Sequence, residues 1–183
     1  GKFRYSLGWT GVDKYYNQNE LGFYNSRDIQ GYRAFLRYRI EKENKVLRSY
    51  SNYLSISQRF RFHDFLRTGG GWRFGNNFVT QNLVTFEVDF DYTGSNRDFY
   101  EPRTEDRYLI EPANYGVKAG FQTNNNNTFS YGFEYEISEF KNKQFDENKS
   151  QTRFRVDAKY RISNKLTLSA RSQIENTNDD VGF

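Results

Sequence analysis

The sequence predicts an all-β protein, an antiparallel up-and-down transmembrane β-barrel of which the 183 residues form a segment of about eight or nine strands. Apolar and charged or small polar residues alternate with a period of two in segment after segment, which places them on opposite faces of strands. The alternating runs outlast the roughly five or six residues of an average globular strand and match the roughly nine to eleven of a membrane strand. Finally, 18 Phe, 15 Tyr and 2 Trp sit in a chain that is hydrophilic on average, as expected where half of each strand meets lipid and aromatics crowd the interfaces.

Phe3, Tyr5, Leu7 and Trp9 mark a first strand, followed by a long polar connection from Gly11 to Asp28. A second strand runs from Ile29 to Glu41, with Tyr32, Ala34, Leu36, Tyr38 and Ile40 opposite Arg33, Arg37, Arg39 and Glu41. Phe35 is its one breach of pattern. Lys42-Glu43-Asn44-Lys45 reads as a hairpin turn, since Asn tolerates the left-handed region. A third strand spans Val46 to Phe62, carrying Leu54 and Ile56 opposite serines and arginines. Thr68-Gly69-Gly70-Gly71 is expected to be a bend, leaving Trp72, Phe74 and Phe78 in a short strand or a turn.

The pattern resumes from Leu83 to Thr93, where Phe86, Val88 and Phe90 oppose Glu87, Asp89 and Asp91. Gly94 to Asn114 is a long connection holding both prolines, where no ladder donor is needed. Tyr115 to Phe121 and Phe129 to Ile137 form two strands around a turn at Asn124 to Asn127, with Glu134 and Glu136 opposite Phe133. A polar loop from Lys141 to Ser150 precedes the strictest alternation of all. There Phe154, Val156, Ala158, Tyr160 and Ile162 oppose Arg153, Arg155, Asp157, Lys159 and Arg161. Ser163-Asn164-Lys165 turns into a last strand with Leu166, Leu168, Ala170 and Ile174. Long connections interleave with short ones, an asymmetry expected when one end of a barrel faces the periplasm and the other the outside.

Composition excludes several classes. No stretch reaches the roughly 20 apolar residues of a membrane helix. Cysteine is absent, so there is no disulfide framework and no thiolate metal site. Lys and Arg exceed Asp and Glu by 27 to 23, and the basic residues alternate with acidic strands, so nucleic acid is not an expected partner.

The expected functional surface is a lumen-facing charged network of Arg33, Arg37, Arg39, Glu87, Asp89, Asp91, Glu134, Glu136, Arg153, Arg155, Asp157 and Arg161. Leu36, Leu54, Ile56, Phe86, Val88, Phe133, Val156 and Leu168 are expected to face lipid. The one histidine, His63, precedes Asp64 and invites a general-base pair, but adjacent strand residues point apart and no nucleophilic serine motif accompanies them. The carboxylate pairs Asp89/Asp91 and Glu134/Glu136 share a face at strand spacing and could serve acid–base chemistry or cation binding; pairing with lumen arginines is the simpler account. Gly69 to Gly71 lacks the Lys and Ser/Thr of a phosphate loop. Trp9, Trp72, Tyr32 and Tyr92 could stack on sugars, yet interface girdles require such residues in any case. No catalytic residue, no metal and no cofactor is expected.

Three sequence words carry a resemblance. Asn19-Glu20-Leu21-Gly22-Phe23 looks like a recurrent Asn-Asp-Leu-Gly-Phe element, with Glu where Asp is usual. Asp98-Phe99-Tyr100-Glu101-Pro102-Arg103 with Arg107-Tyr108 and Glu111-Pro112 is a second, and Asn178-Asp179-Asp180-Val181-Gly182-Phe183 a third. They resemble a family of Bacteroidota outer-membrane proteins, a domain of unknown function joined to an N-terminal carbohydrate-binding-like module. The resemblance implies that residues 1–183 are part of one larger C-terminal barrel domain in a bacterial outer membrane, with flanking strands and the N-terminal module lying elsewhere. It assigns no activity.

The expected partners are outer-membrane lipid, other outer-membrane or assembly proteins, and glycans. The expected role is structural, channel-forming or substrate-handling, without chemistry of its own. The alternatives are the barrel of a carbohydrate-binding or carbohydrate-processing protein, and a soluble β-sandwich or barrel that binds ligand by its aromatics.

Overall fold

The computed structural model describes residues 2–16, 28–41, 44–99, 102, 107–142 and 147–179. The alternating segments become strands β1 (Lys2–Val12), β2 (Ile29–Ile40), β3 (Leu47–Arg61), β4 (Arg67–Thr80) and β5 (Thr85–Thr93). Two short strands follow, β6 (Asn96–Asp98) and β7 (Leu109–Glu111). The chain then continues through β8 (Ala113–Gln122), β9 (Phe129–Asn142), β10 (Glu147–Arg161) and β11 (Thr167–Asp179). Nine of them form one sheet in the order β1-β2-β3-β4-β5-β8-β9-β10-β11, antiparallel at every step, while β6 and β7 pair with each other. This is an all-β up-and-down meander without helices among the described residues.

Register keeps the two faces apart across the whole sheet. One apolar row runs Leu36, Leu54, Phe74, Phe90, Val117 and Ile137, each opposite the next. On the other face Arg73 stands across from Asp91, Asp89 from Lys118, Lys118 from Glu136 and Glu136 from Arg153. A slip of one residue would reverse the faces, so separation of apolar from charged side chains and charge pairing hold the same register.

Connections at one end of the sheet are all short: 41–46, 81–84, 123–128 and 162–166. Their turns are closed by local side chains. Asn44 Oδ1 accepts from the backbone N of Val46 and Leu47 at 2.8 and 2.6 Å, and Ser163 Oγ accepts from Leu166 N at 3.1 Å. Both long connections, 13–28 and 94–112, emerge at the opposite end, together with the shorter 62–66 and 143–146.

Several boundaries differ from the sequence expectation. Thr68 to Gly71 lies inside β4 and is not a bend; Trp72, Phe74 and Phe78 belong to that same strand. The register jumps between Arg59/Gly69 and Phe60/Arg67, so Thr68 is the extra residue of a bulge, and Gly70 supplies a φ of 151° beside it. The connection after β5 contains the β6–β7 hairpin, and the expected loop from Lys141 to Ser150 shrinks because β9 runs on to Asn142 and β10 begins at Glu147. The last strand likewise runs to Asp179. Polar residues extend these strands because ladder bonds are made by backbone, whatever the side chain. The Asn19 to Phe23 word and most of the Asn178 to Phe183 word lie outside the described residues.

Gly75 shows how tightly the charged face is fitted. A Cβ there would lie 2.1 Å from Asp89 Oδ1 and 2.3 Å from the Tyr53 ring, whereas at Gly8 nothing lies within 4 Å. Gly75→Ala is therefore expected to destabilise by about 1–3 kcal/mol, as overpacking does. Gly8→Ala is expected to be neutral or mildly stabilising. Denaturant midpoints in detergent check this, and equal midpoints for the two variants would contradict it.

Candidate functional site

The candidate site is the charged face, and it is built by pairing across neighbouring strands. Its most enclosed member is Asp89, 1% exposed. Tyr53 Oη donates to Asp89 Oδ1 at 3.0 Å and Arg73 Nη2 to Oδ2 at 2.5 Å, so strands β3 and β4 both hold a carboxylate of β5. The Tyr53 ring stacks on Phe35 of β2 at 6.1 Å between centroids, which gives the pattern-breaking Phe35 a partner on the charged face.

From β5 to β11 the charges alternate in sign. Lys118 Nζ lies 3.5 Å from Glu87 and 3.3 Å from Glu134. Arg155 reaches Glu134 at 3.1 Å and Asp157 at 3.0 Å, and Asp157 meets Arg171 at 2.5 Å. A parallel branch joins Glu136, Arg153 and Glu175 at 3.1 and 3.2 Å. An open groove of about 540 Å³ lies along this ladder, lined by Glu87, Gln122, Glu134, Arg155, Lys159 and Arg171 among others.

All twelve charged residues expected on one surface are on this face, though they do not form one network. Arg39 pairs with Glu41 at 3.2 Å. Arg161 donates to the Asn125 carbonyl at 3.5 Å, in the turn beyond the ladder. Arg33 and Arg37 have no carboxylate partner among the described residues. The eight apolar residues all lie on the opposite face. Sequence reasoning missed Tyr53, Arg73, Lys118, Arg171 and Glu175, because a partner on a neighbouring strand, or for Tyr53 two strands away, is visible only once register is known.

His63 pairs with Asp28, not with its neighbour Asp64. His63 Nδ1 is 2.5 Å from Asp28 Oδ2, and His63 N donates to Asp28 Oδ1 at 3.0 Å, tying turn 62–66 to the start of β2. The other ring nitrogen lies 3.9 Å from Asp64 Oδ2, a second carboxylate where a hydrolase would need a hydroxyl. Asp64 is held by Arg61, and this hydrogen bond keeps its carboxyl well below the ordinary 3.8. The stability this contact contributes is therefore present above that value and is lost only in strong acid.

Chemically, the face can hold water, ions and polar solutes. Asp89, Glu134 and Glu136 each meet a cation, while Asp91 has no ion-pair partner among the described residues, so neither Asp89/Asp91 nor Glu134/Glu136 is a pair of free carboxylates. No cluster of metal-ligating side chains occurs among the described residues. Exposed ion pairs contribute little individually, so the enclosed Asp89 should dominate. Asp89→Ala, which strands a guanidinium and a phenol hydroxyl, is expected to cost about 1–3 kcal/mol. Glu175→Ala should leave the denaturant midpoint near wild type, and the reverse ranking would contradict this account.

No curated protein and no solved structure matches the chain. One family model matches residues 1–183, the Domain of unknown function DUF5916. A match over the full length places the chain, plainly, in the DUF5916 family.

Proposed function

We propose that this sheet is a length of wall from a transmembrane β-barrel in a bacterial outer membrane, with its apolar face toward lipid and its charged face toward an aqueous lumen. Its role is structural, channel-forming or substrate-handling, and its means is lumen electrostatics. The Bacteroidota outer membrane is the setting this proposal takes.

The observation that carries the proposal is that no apolar side chain among the described residues is buried. A soluble sheet of this size covers its apolar face with a second layer. Here Leu7 is 80% exposed and Leu168 55%. The outward face is also graded along the strands. Trp72, Tyr92 and Tyr115 stand side by side near the long-loop end, with rings 6.3 and 4.9 Å apart. Aliphatic residues such as Leu36, Val88 and Val156 lie further along, as in a membrane-spanning band bounded by an aromatic girdle. Asn52 and Asn76 interrupt this face, but Tyr50 Oη donates to Asn76 Oδ1 at 2.9 Å and accepts from Asn52 Nδ2 at 3.2 Å.

Strands of 9 to 15 residues suffice to cross a hydrocarbon core when tilted. Among the described residues no helix is long and apolar enough to do so. β1 and β11, the two sheet edges, run in the same direction because nine strands alternate. Closure with antiparallel pairing throughout therefore takes an odd number of further strands, and it would remove two long open edges that otherwise invite aggregation.

Val88→Arg or Val156→Arg should impair membrane assembly, at about 2–4 kcal/mol near the midplane. Arg153→Gln, on the wet face, should be tolerated. Heat-modifiable mobility and carbonate-resistant membrane yield of the three variants check this, and equal tolerance would overturn the proposal.

A further inference from the structure

The charged face is not uniform, and its exception lies on β1 and β2. Across the rest of the described sheet, charged residues that face each other in register have opposite signs, as at Arg73/Asp91, Asp89/Lys118, Glu136/Arg153 and Asp157/Arg171. On β1 and β2 the register instead sets Arg4 directly across from Arg37 and Lys2 across from Arg39. Like charges directly opposite destabilise a sheet unless something compensates them. Glu41 partly does so for Lys2 and Arg39, at 3.7 and 3.2 Å. Arg4, Arg37 and Arg33 have no carboxylate within reach among the described residues. Unpaired lysine does occur elsewhere, at Lys159, but it faces Ser130 and Ser169 and no second cation.

The geometry around the arginines is open. A cleft of about 50 Å³ is lined by Lys2, Arg4, Arg37, Arg39 and Glu41. Further along the strands Gly8 stands opposite Arg33 with nothing within 4 Å of where its side chain would be. Between Arg33 and Arg37, Phe35 presents a half-buried ring on the same face. Guanidinium groups are always charged and present a planar fork that matches oxyanions. A column of them on a lumen wall is the arrangement that anion-conducting and phosphate-conducting pores use.

We infer that the Arg4/Arg37 pair, extended by Arg33, is an oxyanion site on the wall of the lumen, which takes the phosphate or carboxylate group of a small anionic solute. The inference rests on the barrel proposal above, because it needs the charged face to be wet, and it narrows the solutes that the lumen handles to anions. Arg4 and Arg37 together hold the oxyanion, and its charge relieves their repulsion. Gly8 leaves room for the remainder of the solute beside Arg33.

The test uses the full-length protein in detergent, titrated calorimetrically with sodium pyrophosphate at constant ionic strength, with sodium chloride as blank. Wild type should bind. Arg4→Gln and Arg37→Gln should each lower affinity about tenfold, the equivalent of one charge-assisted hydrogen bond. Lys165→Gln, which removes the same charge from turn 162–166, should not. No binding by wild type, or binding that all three variants share, overturns the site. Loss of binding on reconstitution into phosphatidylglycerol discs, but not phosphatidylcholine discs, assigns the arginines to lipid headgroups and overturns the solute. Carbonate extraction of the same protein keeps the two proposals separable: an integral protein that binds no pyrophosphate refutes the anion site alone, and release into carbonate refutes the membrane wall.

Discussion

Among the described residues no layer packs on the nine-stranded sheet, so its apolar face must be satisfied from its surroundings, and the other features of this structure follow from that constraint. Hydrophobic stabilisation is the dominant favourable term in folding, and a sheet whose described residues bury none of their large apolar side chains forgoes it in water. In hydrocarbon the balance differs. There every backbone donor and acceptor must be met within the protein, and an antiparallel ladder meets them for each inner strand. The edges β1 and β11 are the places where the same accounting remains open, and closure by further strands is the known solution.

The charged face answers a different requirement. Most of its cations and carboxylates are partly exposed, so water and salt screen them and no single pair contributes much. Their value lies in placement. Asp89 is the exception that organises its surroundings: with Tyr53 and Arg73 upon it and Gly75 beneath, it joins three strands through one buried carboxylate. Outward from it the signs alternate to β11, while β1 and β2 carry an excess of positive charge. The charged face is therefore electrostatically divided, neutralised on one side and cationic on the other.

Much of this was legible in the sequence because a period of two assigns each side chain to a face without any knowledge of pairing. Arg153 and Val156 could be assigned to opposite faces from their spacing alone, and both lie there. What the period cannot supply is register. Nothing in the sequence says that Arg4 meets Arg37, that Lys118 sits between Glu87 and Glu134, or that His63 finds Asp28 in preference to Asp64. Glycine misled for a related reason. Gly69 to Gly71 reads as a bend because glycine punctuates loops, yet in β4 it accommodates a bulge at Thr68 and the close approach of the β5 backbone, with a Gly71 Cβ falling 2.1 Å from the Tyr92 carbonyl oxygen. The polar stretches around Lys141 and Ser150 were likewise long enough to be loops, and only backbone pairing makes them strand.

The central claim is that the two faces meet two different media. Residues 1–183 contain no cysteine, so a cysteine introduced among them reports on one position at a time once any cysteine outside them is replaced. Spin labels at Val88 and Val156 and at Glu87 and Arg155, in the full-length protein reconstituted into lipid, measure relaxation by oxygen against relaxation by a water-soluble nickel chelate. The account predicts that oxygen dominates at Val88 and Val156 and the chelate at Glu87 and Arg155, alternating along β5 and β10. Chelate access at all four positions, or at none, would contradict it.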